Sequence, residues 1–222
     1  MKEKKIIWLS PTGVGVLDRC PRCFWLHYKK GIRQPEGIVS RLANRFDAII
    51  KRYFDLYRPL GELPPMVLGK MEGKLENPFQ EKYFYQHDEK YGCYGKLDDC
   101  LAAGKVYTPI DFKTSSSDPR EKKEIYESYQ HQMNSYAWLL EENKKKTSGL
   151  AHLIYFYPEH SDELHRGCEM VIHVETLKTN PKSAKERFLK AIKVLESKIP
   201  RHSAGCPFCS WYEKVSSELN NK

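Results

Sequence analysis

Three observations predict an α/β fold with a mixed central sheet and flanking helices. Apolar periodicity switches between helical and alternating spacing in the order helix, three strands, helix, strand. The run Leu150 to Tyr157 is apolar throughout, as an interior strand requires. Two Cys-x-x-Cys pairs stand near opposite ends of the chain, where a shared metal would clip the ends of the fold together.

The elements follow in order. Ser10-Pro11 offers a helix start, with proline suited to the first turn, and the segment through Lys30 is aromatic and basic. Gly31 to Gly37, with Pro35, reads as a loop. From Ser40 to Tyr57, Leu42, Phe46, Ile49, Ile50, Tyr53 and Phe54 recur at spacings of three and four, the pattern of an amphipathic helix. Pro59, Gly61 and Pro64-Pro65 break the chain. Strands are expected at Lys82 to Gln86, Cys93 to Ala102 and Val106 to Thr114. Ser115 to Pro119 is a loop into a helix from about Lys123 to Glu142, whose apolar face carries Tyr129, Met133, Tyr136, Ala137 and Leu140. Beyond Leu150–Tyr157, a further strand is expected at Glu169 to Val174. Asn180-Pro181 starts a final helix with Phe188, Ile192, Leu195 and Ile199 on one face, ended by Pro200.

Composition narrows the function. The 222 residues suit one domain, 1–222, and can bury a sizeable core. Lys+Arg 37 against Asp+Glu 29 leaves a net charge of +8, compatible with a polyanionic partner. Ile6-Ile7-Trp8-Leu9 after Met1-Lys2-Glu3-Lys4-Lys5 is too short for a signal-peptide core. No stretch approaches the ~18 apolar residues of a membrane helix. A cytoplasmic protein with no membrane partner is expected. Seven cysteines without a secretion signal argue against a disulfide framework. Cys93, Cys100 and Cys168 read as buried or half-buried thiols. Cys20, Cys23, Cys206 and Cys209 form a four-thiolate set, with segments 10–35 and 200–215 building the site.

The chemistry concentrates in Tyr94-Gly95-Lys96-Leu97-Asp98-Asp99 and Ile110-Asp111-Phe112-Lys113-Thr114. On a strand Asp111 and Lys113 share a face, while Ile110 and Phe112 point into a core. Asp98 lies thirteen residues before Asp111, across the turn-like Ala102-Ala103-Gly104-Lys105, so antiparallel pairing brings the two carboxylates together. Asp99 faces away from Asp98 and reads as structural or as a partner supporting the site from behind. Two hard oxygen ligands suit Mg²⁺ or Mn²⁺, and a neighbouring lysine can orient or deprotonate an attacking water. Arg19, Arg22, His27, Lys29, Lys30 and Arg33 interleave with Phe24, Trp25 and Tyr28. Such a pattern suits a single-stranded nucleic acid, or equally aromatics packed inward beneath solvated cations. Lys122-Lys123 and Lys144-Lys145-Lys146 read as solvated charge.

Gly95-x-x-Asp98, Asp111-x-Lys113 and Gln132-x-x-x-Tyr136, in that order on an αβββαβ pattern, resemble the PD-(D/E)XK nuclease superfamily and its RecB-like branch. That branch includes CRISPR-associated adaptation nucleases and the nuclease domains of recombination helicase–nucleases. The opening Ser10-Pro11 … Cys20-Pro21-Arg22-Cys23-Phe24 is similar to the start of the same branch, so the resemblance runs from about residue 10 to 212. It implies a restriction-endonuclease-like core and a divalent-metal-dependent, exonuclease-like deoxyribonuclease acting in repair, recombination or defence. DNA would be its partner, with room for a helicase or another repair or defence protein. Asp98 and Asp111 would hold Mg²⁺ or Mn²⁺ with the Phe112 carbonyl, Lys113 would serve the water, and Gln132 and Tyr136 would complete the catalytic set.

Many relatives carry a histidine ligand in the preceding helix; Arg45-Phe46-Asp47-Ala48-Ile49-Ile50 offers Asp47 there, either as a ligand or paired with Lys51 one turn on. That missing histidine leaves an alternative, a weak or inactive nucleic-acid-binding module on the same scaffold. Several relatives hold a [4Fe-4S] cluster with one cysteine before the core and three after; this chain has two and two, so the family's pattern is matched only in part, and the resemblance implies the cluster with Zn²⁺ as the alternative.

Overall fold

The computed structural model describes residues 6–35, 41–121, 126–163 and 167–220. Met1 to Lys5, Gly37, the helix start at Ser40, and Lys122-Lys123 lie outside them.

The chain opens with β1 (Ile7–Leu9), α1 (Pro11–Arg19), α2 (Pro21–Lys30) and α3 (Arg41–Tyr57). It continues through β2 (Lys74–Leu75), β3 (Lys82–Gln86), β4 (Tyr91–Lys96), β5 (Asp99–Ala103) and β6 (Val106–Thr114). Then come α4 (Glu127–Glu142), β7 (Lys146–Thr147), β8 (Leu150–Pro158), β9 (Met170–Lys178), α5 (Pro181–Glu196) and α6 (Pro207–Asn220). The main sheet runs β2-β5-β6-β8-β9, with β7 also on β6. It is mixed: β6 and β8 are parallel, whereas β5–β6 and β8–β9 are antiparallel. A smaller sheet, β1-β4-β3, pairs β1 parallel to β4. Among the described residues no helix is long and apolar enough to cross a membrane.

Strand alternation divides the main sheet's side chains between two cores. Leu153, Tyr155 and Tyr157 pack with Met133, Tyr136, Leu139 and Leu140 of α4 and with Phe188, Ala191 and Leu195 of α5. Ile110, Phe112, Ile154 and Phe156 face the other way, against Ile50 and Phe54 of α3. Burying these side chains contributes about 1.5–3 kcal/mol each, so the sheet is a rigid platform clamped between helices. The apolar reading of Leu150–Tyr157 matches β8, flanked by β6 and β9.

Local chemistry moves several boundaries. The expected strand Cys93–Ala102 is two strands in two sheets. Tyr91, Cys93 and Leu97 enter the first core, and after a one-residue phase change at Leu97-Asp98 so does Cys100. The expected first helix is two helices, with Cys20 in extended conformation closing α1 and opening α2, and Pro21 at the first turn. The final helix expected to include Ile199 ends at Glu196, where Ser197 turns extended with its N–H on the Val194 carbonyl; Pro200 disfavours helix at Ile199, which is exposed. α6, β1 and β2 were not expected. Cys93 and Cys100 are buried, but Cys168 is exposed.

The aromatic–basic stretch of α2 packs inward. Phe24 is fully buried with its ring 5.0 Å from Tyr28, and Trp25 donates through Nε1 to the Ser197 carbonyl. Packing, rather than a stacking surface, accounts for these rings.

Candidate active site and cysteine cluster

Asp111 and Lys113 lie on the α4 side of β6, opposite the apolar pair Ile110 and Phe112. Pairing of Asp99 with Ile110 brings Asp98 beside Asp111, and Asp98 Oδ2 accepts the Phe112 N–H at 3.0 Å. The Phe112 side chain meets Phe54 at 4.8 Å in the second core, so its backbone lies between the two polar residues of the centre. α4 supplies the other wall. Gln132 Nε2 donates to Asp111 Oδ1 at 3.0 Å and to the Tyr136 hydroxyl at 2.8 Å, while Gln132 Oε1 accepts from Lys113 Nζ at 3.0 Å. Lys113 Nζ also lies against Asp111 Oδ2 and 4.4 Å from the Tyr129 ring centroid.

Gly95 explains how α4 comes so close. A Cβ there would stand 2.6 Å from Leu139 Cδ1 and 3.3 Å from the Tyr136 ring, so any larger residue would have to move the Leu139 side chain or α4. Asn134 of the same helix fixes the next one, accepting the Asn180 N–H at 2.8 Å and donating to Ser183 Oγ at 3.2 Å.

α3 contributes a side chain that the sequence offered only as a neighbour. Lys51 Nζ lies 2.7 Å from Asp98 Oδ1 and 2.9 Å from Asp47 Oδ2. Asp47 thus reaches the centre through Lys51, one turn away on its own helix. Seven residues on, Arg58 holds Asp99 with two bonds, at 3.1 and 2.9 Å, and also donates to the Glu76 carbonyl at 2.7 Å. Consecutive aspartates therefore tie α3 and the residue just past its end to the sheet at two points. Asp47–Lys51 was recoverable from helical spacing; Arg58–Asp99 has no local signal, because the partners are far apart in sequence. Tyr129, read as core-facing, borders Lys113 as well as the core.

Burial sets the electrostatics. It pushes the Asp111 carboxyl up to about 7, against the pull of Lys113 and with the Asp98 charge adding to the rise. Burial likewise raises the Tyr136 phenol, helped by Asp111. At Lys51 burial opposes the charge, but the bonds to Asp98 and Asp47 outweigh it and raise the pKa. Asp111 Oδ2 is buried and, among the described residues, meets the Lys113 ammonium alone. An anionic oxygen so placed, beside a second carboxylate, fits a hard divalent cation.

The second constellation is the four cysteines. Their sulfurs lie within 4.8 Å of one another, all four residues buried. Cys20–Cys209, Cys23–Cys206 and Cys23–Cys209 are separated by 3.9, 3.7 and 3.5 Å. Pro21 and Pro207 start helices immediately after Cys20 and Cys206, so each pair caps a helix N-terminus, where the dipole favours thiolate. Burial pushes the Cys23 and Cys209 thiols up. At Cys20 burial acts the same way, but donors at Cys23 and Ser203 outweigh it and bring the thiol down to about 7. Four facing sulfurs with these donors fit a metal.

A sequence profile of the PD-(D/E)XK nuclease superfamily matches residues 94–213, a little over half of the chain. No curated protein matches the sequence. Among solved structures, SSO0001 is similar over 93% of this chain and 84% of its own, with 18% identity and a TM-score of 0.51. The alkaline exonuclease from Laribacter hongkongensis is similar over 96% and 95%, with 8% identity and a TM-score of 0.50. Its complex with dAMP gives the same identity and TM-score over 98% and 95%. At these identities the structural likenesses speak for a shared fold.

Proposed function

The chain belongs to the PD-(D/E)XK nuclease superfamily, whose members use divalent metals on nucleic acid, and from that premise we propose a RecB-like, Mg²⁺- or Mn²⁺-dependent deoxyribonuclease of exonuclease type. The convergence of Asp98, Asp111, Lys113 and Gln132 carries this reading: Gln132 alone bridges Asp111 and Lys113 at 3.0 Å each. Asp98 and Asp111, with the Phe112 carbonyl between Asp111 and Lys113, would hold the ion. Bound there, it would polarise a phosphodiester oxygen and lower the pKa of an attacking water.

The chain's own residues do the rest. Lys113 orients that water and offsets the negative charge that develops on phosphorus as the new P–O bond forms and the ester P–O bond breaks. Gln132 and Tyr136 are positioning residues, holding Asp111 and the Lys113 amine in register. Lys51 bridges Asp98 and Asp47 and offsets one of their two charges, which fits Asp47 as the outer member of the centre. The exonuclease reading draws on the fold shared with the Laribacter hongkongensis enzyme, one structure of which holds dAMP.

The cysteines support a structural site, and their spacing favours Zn²⁺ over a cluster. Zn–S bonds of about 2.3 Å at tetrahedral angles put sulfurs about 3.8 Å apart, against 3.5–3.9 Å for the pairs above. An iron–sulfur cube would have to fit several inorganic atoms between the same thiolates.

The test is cleavage of end-labelled single- and double-stranded DNA with Mg²⁺, Mn²⁺ or EDTA. Wild type cuts only with metal, and Asp111→Ala and Lys113→Ala each lose about 10²-fold or more in rate. Equal cleavage by the variants removes the assignment.

A further inference from the structure

The small β1-β4-β3 sheet has a second face that the nuclease centre does not use. Its inner face is core: Tyr83, Tyr91 and Cys93 are buried. Its outer face is built in rungs. Lys82 pairs with Lys96, Phe84 with Tyr94, and Gln86 with Gly92, which pairs in turn with Trp8 of β1. Gly92 makes room for the indole, since a Cβ there would stand 2.4 Å from Trp8 Cζ3. The rings form a continuous row, Trp8 to Phe84 edge-on at 5.4 Å and Phe84 to Tyr94 near-parallel at 6.1 Å. Phe84 is 51% and Tyr94 37% exposed.

The lysine rung works against folding, and the ring rung supports the strand pairing while leaving much of its ring area in water. Lysines directly opposite one another across antiparallel strands repel. Glu81 reaches Lys96 at 2.8 Å, but this pair is solvent-exposed and worth little; Lys82 has no ion-pair partner among the described residues. The nearby Asp88 carboxylate is turned onto the Lys90 and Tyr91 amides. An exposed aromatic row leaves apolar area in water. Cationic rung and ring rung lie two residues apart on each strand, about 7 Å. Together they match one ligand chemistry: phosphates for the lysines and unpaired base faces for the rings. A duplex keeps its base faces stacked and offers only the phosphates.

We propose that this face binds single-stranded nucleic acid. It deepens the nuclease reading, because β4 leads from Tyr94 through Lys96 to Asp98, two residues further on; a strand held here is delivered to the acid centre. Binding itself needs no metal and no cleavage.

The experiment is fluorescence anisotropy of labelled oligo(dT) with the full chain in EDTA, alongside a duplex of equal length. Phe84→Ala and Tyr94→Ala each weaken oligo(dT) binding about fivefold or more, with duplex binding and circular dichroism unchanged, while Phe84→Tyr retains affinity. Lys82→Glu with Lys96→Glu weakens binding and lowers the slope of log affinity against log salt by about 1.4. Oligo(dT) quenches tryptophan emission in wild type, and Trp8→Phe abolishes the quench. Oligo(dT) affinity unchanged within about twofold in both ring variants overturns the proposal. So does a concentration-dependent dimer that Phe84→Ala dissolves, since the face then joins two copies. If wild type never cleaves but binding follows the rings, the nuclease reading falls and this one stands; intact cleavage with ring-independent binding is the reverse.

Discussion

The acid centre and the cysteine cluster both gather groups that repel one another, and they differ in what offsets the repulsion. At the acid centre the protein itself supplies the counter-charges: Lys113 on Asp111, Lys51 on Asp98 and Asp47, and a glutamine amide between them. Among the cysteines each sulfur faces other sulfurs. On the reading proposed above, a metal at the first would serve chemistry, whereas a metal at the second would hold the fold. The two sites should therefore separate under metal removal and mutation.

The largest effect belongs to the cysteines. Structural zinc contributes on the order of 10 kcal/mol in small zinc domains, and even a third of that lowers Tm by about 10 °C in a chain of this size. Cys206→Ser, followed by calorimetry and metal analysis, should show this fall together with loss of bound zinc. Asp111→Ala should keep both zinc and Tm within a few degrees. A Cys206→Ser protein as stable as wild type would erase the contrast.

Gly95→Ala tests where the contrast blurs, because this glycine serves packing and the acid centre at once. The new methyl must displace Leu139 or α4, at a cost of about 1–3 kcal/mol. α4 carries Gln132, so cleavage should fall by more than the stability loss explains, with KM little changed. A thermal melt and a kcat–KM separation check it.

The smallest effect is a pH signature confined to the acid centre. A buried carboxyl whose pKa rises to about 7 from an ordinary value of 3.8 binds protons more tightly in the folded state. Its contribution is therefore full below about pH 4 and lost as pH rises through 7. In EDTA, Asp111→Asn should gain stability relative to wild type between pH 5 and pH 7.5, as urea midpoints at several pH values would reveal. A constant difference across that range would put the counter-charges, rather than burial, in control of Asp111.

What could be read in advance follows from the range of each interaction. β6 and β8 announce themselves by alternation and by an unbroken apolar run, and the Asp98–Asp111 meeting follows from one turn. The split at Leu97-Asp98 is hard to see, because Lys96-Leu97-Asp98-Asp99 carries no glycine or proline to break the strand and only the phase of burial changes. α6 is hard to see because Trp211, Tyr212 and Leu219 are exposed, leaving little buried stripe to mark its period. Lys51 was legible as a partner of Asp47, but its contact with Asp98 belongs to the packing of α3 on the sheet. The rings of α2 pack inward for the same reason: composition marks aromatics without saying which face of an element they occupy.

The two halves of the cysteine cluster are 183 residues apart between Cys23 and Cys206. During synthesis at about 5–20 residues per second, roughly 10–40 s separate them. Through that interval Cys20 and Cys23 stand as an open dithiol, exposed to oxidation or to capture of the wrong ion. Cellular thiol reduction and metal supply while the chain is being made would then decide the yield of active protein, before any substrate is met.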